Sequence, residues 1–403
     1  MFEAFQERDY RRFWTTQFIS NIGSWMQTVA QGWLVYRLTD SPFLLGFVGF
    51  ASSMPAFFLM LPGGVVADHF DRRRVVKISQ WAQALSALFL AISIRTGQIS
   101  VWQILVASVV VGVAMSFSAP AYQAMVVDLL DDRGRLSNAV AMNSLQFNLS
   151  RAIGPLLAGL TLSAWGSFWC FLFNALSFLP LIWMLGRLKE RQQLVESTGA
   201  LWEKLREGFR YVLTQRVVLL LLAVVAAASL FGYPYMTIMP MVARTLFGHD
   251  DARGLGVLMS GIGGGALAGS LALSVSTPPE RRMIPAVLAS MSTFGVALLA
   301  IAFFRTHEIV TGLLAVCGCS MVICTALCNT SIQRRIPDAM RGRVLSMYTF
   351  AFSAFLPFGN LAAGIMAEHR GLTLTMMVLG GGLVLCAIAA VGAVWWAGSR
   401  RAA

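Results

Sequence analysis

The chain has 403 residues, of which 57% are hydrophobic and 12% charged, and its net charge is +12. Soluble proteins carry roughly 25% charged residues, so this composition excludes a water-solvated globule and selects a lipid bilayer as solvent. The Lys and Arg residues sit in short clusters between apolar runs, not on one aromatic-lined face, which excludes a nucleic-acid-binding surface.

In chain order, the opening MFEAFQERDYRRFW mixes acids with bases and leads into an apolar segment over 13–37. No A-x-A-like cleavage site follows a short apolar core, so a retained first helix is expected. Further apolar segments lie at 43–67, 75–95, 100–123, 136–160 and 165–186. After a long polar connection come 217–240, 254–276, 284–304, 309–331, 344–366 and 372–397. Each reaches about 20 residues, enough to cross the hydrocarbon core as a helix. Sorted by side under that alternation, 24 of the 31 Lys and Arg fall with the chain ends, six fall opposite, and Arg151 lies within a span. The positive-inside rule then places both termini in the cytoplasm. Residues 68–77, rich in Asp and Arg, become a cytoplasmic turn.

The expected architecture is an all-α membrane protein of twelve transmembrane helices in two six-helix bundles, residues 1–187 and 217–403, joined by a cytoplasmic linker over 188–216. Within the linker, Leu201, Leu205, Phe209 and Val212 share one helical face and Glu203, Lys204, Glu207 and Arg210 lie elsewhere, which suits either a helix at the membrane surface or a solvated one. DDRGRL (131–136) and DAMRGRV (338–344) follow the fourth and tenth segments, equivalent places in the two halves. Two parallel repeats are the layout of a transporter whose site lies between them near the midplane.

Polar residues inside the spans mark candidate site positions. Gln17, Asn21, Ser24, Thr28 and Gln31 recur at intervals of four and three on one face of the first helix. Amides facing lipid are costly, so this face lines a water-filled cavity or another helix. Asn143, Gln146, Asn148 and Arg151 follow in the fifth segment, and Arg151 is the one basic residue well inside a span. It is a candidate substrate contact, or else is held by helix-end carbonyls or by a partner near the outer surface. Tyr122, Gln123, Tyr233, Tyr235, Asn329, Tyr348 and Asn360 line the cavity or serve in packing. Gly261, Gly265 and Gly269, four apart, form a small-residue face for close packing, usable as a sliding surface. No carboxylate lies mid-span, which leaves Asp128 as the candidate for coupling to an ion. His69, His249, His307 and His369 fall in loops or at span ends, so no histidine-based catalytic site forms within the membrane. Cys317, Cys324 and Cys328 share a face, read as small hydrophobes or a soft-metal site.

Two stretches carry a family resemblance. GGVVADHFDRRRVV (63–76) places Gly64, Asp68, Asp71, Arg72 and Arg73 in the pattern Gly, three residues, Asp, then a basic pair, with His69 and Asp71 replacing the usual basic residue and second glycine. SRAIGPLLAGL carries Ser150, Gly154, Pro155, Ala158 and Gly159 in an antiporter-like pattern. With LREGFRYVL and PDAMRGRV, they make the whole chain similar to the major facilitator superfamily, in its enterobactin-exporter-like and drug-exporter-like branch. The resemblance implies a secondary active transporter, not an enzyme, that exports a small amphipathic molecule, siderophore-like or drug-like. It would work as a monomer in the bacterial cytoplasmic membrane by alternating access, with the proton as coupling ion and no cofactor or metal. A lipid or lysolipid flippase and an importer are the alternatives within the same fold. By position, the resemblance makes Asp68 accept from Arg72, with Asp128 as second partner, a conformational latch at the cytoplasmic helix ends; a plain positive-inside anchor is the other reading of this stretch.

Overall fold

A computed structural model describes residues 3–188, 209–248 and 252–402, with the side chains of Leu61, Asp68, Arg133, Ser137, Asp338, Ala339, Arg341 and residues 394–402 outside the description. The described residues are helical and contain no strand. Six helices come first: α1 (Arg8–Thr39), α2 (Pro42–His69), α3 (Arg72–Arg95), α4 (Val101–Asp128), α5 (Leu136–Trp165) and α6 (Ser167–Arg187). Then follow α7 (Arg216–Ala227), α8 (Met239–Phe247), α9 (Ala252–Val275), α10 (Glu280–Ile301), α11 (His307–Arg335) and α12 (Asp338–Ala402).

Capping chemistry fixes the tight turns. Ser41 ends the first connection by accepting at its Oγ from the Leu44 amide at 3.3 Å, with Pro42 beginning α2, an arrangement suited to a helix N-terminus. The expected turn over 68–77 is much shorter: α2 runs to His69 and α3 begins at Arg72, so Phe70 and Asp71 alone connect them. Asp71 is the cause. Its carboxylate accepts from the Arg73 amide at 3.0 Å and from the Arg73 guanidinium at 2.9 Å, so an acid offsets three arginines that would otherwise oppose the helix dipole.

The expected segment over 217–240 lies within Arg216–Phe247, long and apolar enough to cross a membrane, but its helix is interrupted. After α7 the chain makes a π-helical turn at Ala228–Gly232 and a 3-10 turn at Tyr233–Met236 before α8 resumes. Pro234 and Pro240 supply no amide hydrogens, which breaks the regular ladder there. Gly232 admits Phe294 at the break, where a Cβ would stand 2.7 Å from the ring. In α12, Gly371 (φ 78, ψ 173) interrupts helical geometry, in a left-handed region where glycine is at home.

Nine stretches of the described residues are long and apolar enough to cross a membrane, Arg216–Phe247 and the 51-residue Arg343–Ala393 among them. Helices α1 and α5 are not among the nine, because their polar stripes lower the mean hydropathy. Large apolar side chains face outward, such as Trp102 at 74% exposed, as a lipid-solvated surface requires. The chain is a multi-pass membrane protein.

Helices α1 to α6 pack on one another, as do α7 to α12, and the two sets meet mainly along α5 against α9 and α2 against α12. These seams are backbone-close: Gly46 lies against Gly364, Gly159 against Gly256, and Gly263 against Ala152. The Gly261, Gly265 and Gly269 face packs instead on Thr311, Ala315 and Cys319 of α11, within one set. It is therefore no sliding surface between the sets; the opposite face of α9 meets α5. Of the expected linker helix, residues 189–208 lie outside the described residues, while Phe209 is exposed and Val212 buried.

Candidate functional site

The polar stripe of α1 divides along its length. Near its start, Gln17 donates to Asn21 at 2.9 Å, and Asn21 and Tyr122 both donate to the Gln146 carbonyl oxygen at 3.5 Å. Gln146, only 1% exposed, donates in turn to the Trp14 carbonyl. Asn143 accepts from Tyr10 at 3.0 Å. These amides join α1, α4 and α5. Ser24 and Thr28 donate back to carbonyls of their own helix at 2.9 Å, and Gln31 donates to Ser108 of α4 at 3.0 Å.

From the second set, Tyr348 donates to the Thr325 carbonyl at 3.0 Å, Asn329 accepts from Gln333, and Tyr233 stands edge-on to Phe352 with centroids 4.7 Å apart. Arg151 is 5% exposed, with Nε and Nη2 buried and unpartnered among the described residues. Tyr233 and Tyr235, at the break after α7, lie within electrostatic range of it.

Gly154 and Gly159 act through packing. A Cβ on Gly154 would lie 2.5 Å from Trp25 of α1, and one on Gly159 would lie 2.8 Å from the Cα of Gly256. The Pro155 carbonyl lies 3.0 Å from where Gly256 would carry a Cβ. This stretch lets α5 touch α1 and α9 at once.

At the basic face, Arg72 Nη1 donates to both Asp128 carboxylate oxygens, at 2.8 and 3.0 Å, and its Nε donates to the Ala67 carbonyl at 3.2 Å. Arg135 pairs with Glu7 at 2.8 Å. Gly64 has open space beside it, and the Asp68 side chain lies outside the described residues. Burial raises the Asp71 pKa, but hydrogen bonds and charge from Arg73 outweigh it and hold the carboxyl below its ordinary value. Such a shift stabilises the fold above the ordinary carboxylate pKa, and the gain is lost as pH falls through the lowered one. Asn still caps the helix, so Asp71→Asn loses only the charge and is expected to cost up to about 1 kcal/mol at neutral pH, a difference from wild type that shrinks on acidification when melting is followed against pH.

Sequence reasoning missed the contacts at the opposite face. Arg244 pairs with Asp40, Glu368 accepts from the Ser41 hydroxyl at 2.9 Å and the Phe43 amide at 3.0 Å, and Arg253 donates to Ser163 at 2.9 Å. All join the first helix set to the second. It also missed Asn174 donating to Gln27 at 2.6 Å, a buried pair between α1 and α6. The scarcity of charge on that face was the available signal, but periodicity carries no information about partners hundreds of residues away.

Known proteins resemble this chain along its length. It is 24% identical over 380 residues to the staphyloferrin A transporter of Staphylococcus aureus, covering 91% of this chain and 92% of that one. It is 27% identical over 384 residues to the multidrug efflux pump Tap of Mycobacterium tuberculosis, covering 92% and 89%. A bacterial homologue of the human lysosomal transporter Spinster, solved inward-facing and unoccupied, superposes with a TM-score of 0.75 at 13% identity, covering 98% and 97%; at that identity the likeness is one of fold. The model of a family described as transmembrane secretion effector matches residues 1–395. The chain thus belongs to the transmembrane secretion effector family of the major facilitator superfamily, a family of membrane transporters and not of enzymes.

Proposed function

We propose that the protein is a secondary active exporter of small amphipathic organic molecules, siderophore-like or drug-like, in the bacterial cytoplasmic membrane. Twelve crossings form two six-helix bundles, residues 1–187 and 217–403, with 188–216 as their linker and both termini in the cytoplasm. The monomer works by alternating access coupled to proton entry, with Asp128 as the candidate titrating group.

The observation that carries this reading is the set of polar contacts across the opposite face, Asp40 with Arg244, Ser41 and Phe43 with Glu368, and Ser163 with Arg253. They sit at helix ends beside seams of small residues, so they release as a unit when the bundles rock apart. In this reading that face is external and closed here, and the pairs are its clamp. The relatives named for siderophore transport and drug efflux support export. The cavity then lies among Gln17, Asn21, Ser24, Thr28, Gln31, Asn143, Gln146, Arg151, Tyr233, Asn329 and Tyr348, and the latch among Gly64, Asp68, Asp71, Arg72, Arg73 and Asp128. Gly154, Pro155 and Gly159 carry the antiporter-like pattern and hold α5 close to α1 and α9.

Inverted vesicles from overproducing cells, energised and offered fluorescent amphiphiles, are expected to accumulate them and to release them when the proton gradient is collapsed. Equal uptake with and without the gradient across a broad panel defeats the exporter. Uptake confined to lysolipids selects the flippase, and energised expulsion from inverted vesicles selects the importer. Glu368→Gln, which keeps the shape of the clamp but loses its charge, is expected to slow vesicle uptake about threefold to tenfold at normal abundance.

A further inference from the structure

Arg151 stands 15 residues from the start of α5 at Leu136 and 14 from its end at Trp165. At 1.5 Å per residue each end is roughly 21 Å away, so the guanidinium cannot snorkel to water. The backbone there is pressed against α9, where a Cβ on Gly263 would meet the Arg151 carbonyl oxygen at 2.4 Å. Phe147, one turn earlier, has its ring centroid 6.0 Å from the guanidinium carbon, at the outer limit for a cation–π contact.

An unpaired charge at this depth is costly and needs an explanation. Arg151 keeps Nε and Nη2 buried without acceptors, and no carboxylate pairs with it among the described residues. The Tyr235 hydroxyl, within electrostatic range of Arg151 and itself fully buried, is also without a partner among the described residues. Guanidinium offers five N–H donors and no acceptor, and a phenol offers one more donor. Together they lack an anion with two acceptor oxygens, which a planar guanidinium grips in a fork. A cationic ligand would meet repulsion with nothing to offset it.

We propose that Arg151 and Tyr235 form a binding site for a carboxylate carried by the transported molecule, so that the substrates are amphipathic organic anions. This rests on the exporter reading and narrows its substrate class. The bound acid cancels the buried charge, and the empty site is the electrostatically strained state.

The test uses the full chain purified in an uncharged detergent, with thermal melting and titration against matched sets of aryl and alkyl carboxylates, their amides and their amines, and lysophosphatidate. Wild type is expected to bind carboxylates at least about tenfold tighter than the amides or amines. Arg151→Gln erases that preference, and Arg151→Lys keeps part of it. Because removing the charge relieves the empty site, ligand-free Arg151→Gln is expected to melt higher than wild type. A lower melting point or failure to fold in Arg151→Gln makes the arginine structural and overturns the proposal. So does binding of amines as tight as carboxylates, absence of carboxylate binding, or a preference for lysophosphatidate, which would assign the site to a phosphate. Energised vesicles that move amphiphiles without regard to charge defeat the anion assignment and leave the exporter standing; vesicles that move none of the panel defeat the exporter.

Discussion

Gly265→Leu is expected to abolish folded protein, whereas Gly264→Leu, one position away on the same helix, is expected to be tolerated. A Cβ at Gly265 would lie 1.8 Å from the Ala315 carbonyl oxygen, 2.6 Å from its carbon and 2.7 Å from its Cα. All three atoms are backbone, so no rotamer change makes room. The contact is reciprocal: Gly318 of α11 would place its Cβ 2.0 Å from the Ile262 carbonyl oxygen of α9. In lipid there is no hydrophobic drive to hold two helices together, and association depends on this close packing. Prying the pair apart forfeits the contacts along its whole length, a loss above about 4 kcal/mol and in the exceptional class for one substitution. Gly264 has nothing within 4 Å of its would-be Cβ, and its change is expected to stay within about 0.5 kcal/mol. Size-exclusion profiles of detergent-solubilised variants, with denaturant midpoints for those that fold, measure the contrast. A monodisperse Gly265→Leu protein would refute the interlock.

The second large effect is expected at the ion pair of Arg72 and Asp128. Their side chains are 14% and 22% exposed, so neither charge is well hydrated when its partner is removed. Arg72→Met or Asp128→Met alone is expected to cost about 2–3 kcal/mol, while the double replacement costs clearly less than their sum. The latch reading adds a kinetic expectation: Arg72→Met and Asp68→Asn lower vesicle transport by more than they lower abundance. Additive stabilities would show that the two residues do not interact. Unchanged transport at normal abundance would leave the pair an inert anchor.

Much of the molecule is legible one residue at a time. Hydropathy located the helices because a lipid-solvated segment must satisfy its own backbone and present apolar side chains, a requirement met locally. The motif around Asp71 was visible for the same reason, although its role as the cap that begins α3 at Arg72 was not, since caps depend on backbone direction. The polar stripe of α1 was found by its spacing, yet its spacing did not reveal that Asn21 and Tyr122 meet at Gln146 whereas Gln31 goes to Ser108. Similarly, hydropathy showed only an apolar segment over 217–240, whereas the π and 3-10 turns within it, with Gly232 and Tyr235 set against Phe294, appeared only in the fold.

By itself, then, the sequence determined the bilayer as solvent, the helical class, the family motifs and the anomaly of an arginine deep inside a span. These follow from the chemistry of single side chains and from periods of a few residues. Only the tertiary structure decided that Gly265 faces α11 while Gly263 faces α5, that Glu368 reaches Ser41 across the two helix sets, and that Arg151 has no counter-ion among the described residues. Each is a matter of which distant segments become neighbours. In lipid that choice rests on backbone-close steric fit between helices, summed over many small contacts, and no stretch of sequence carries that sum alone.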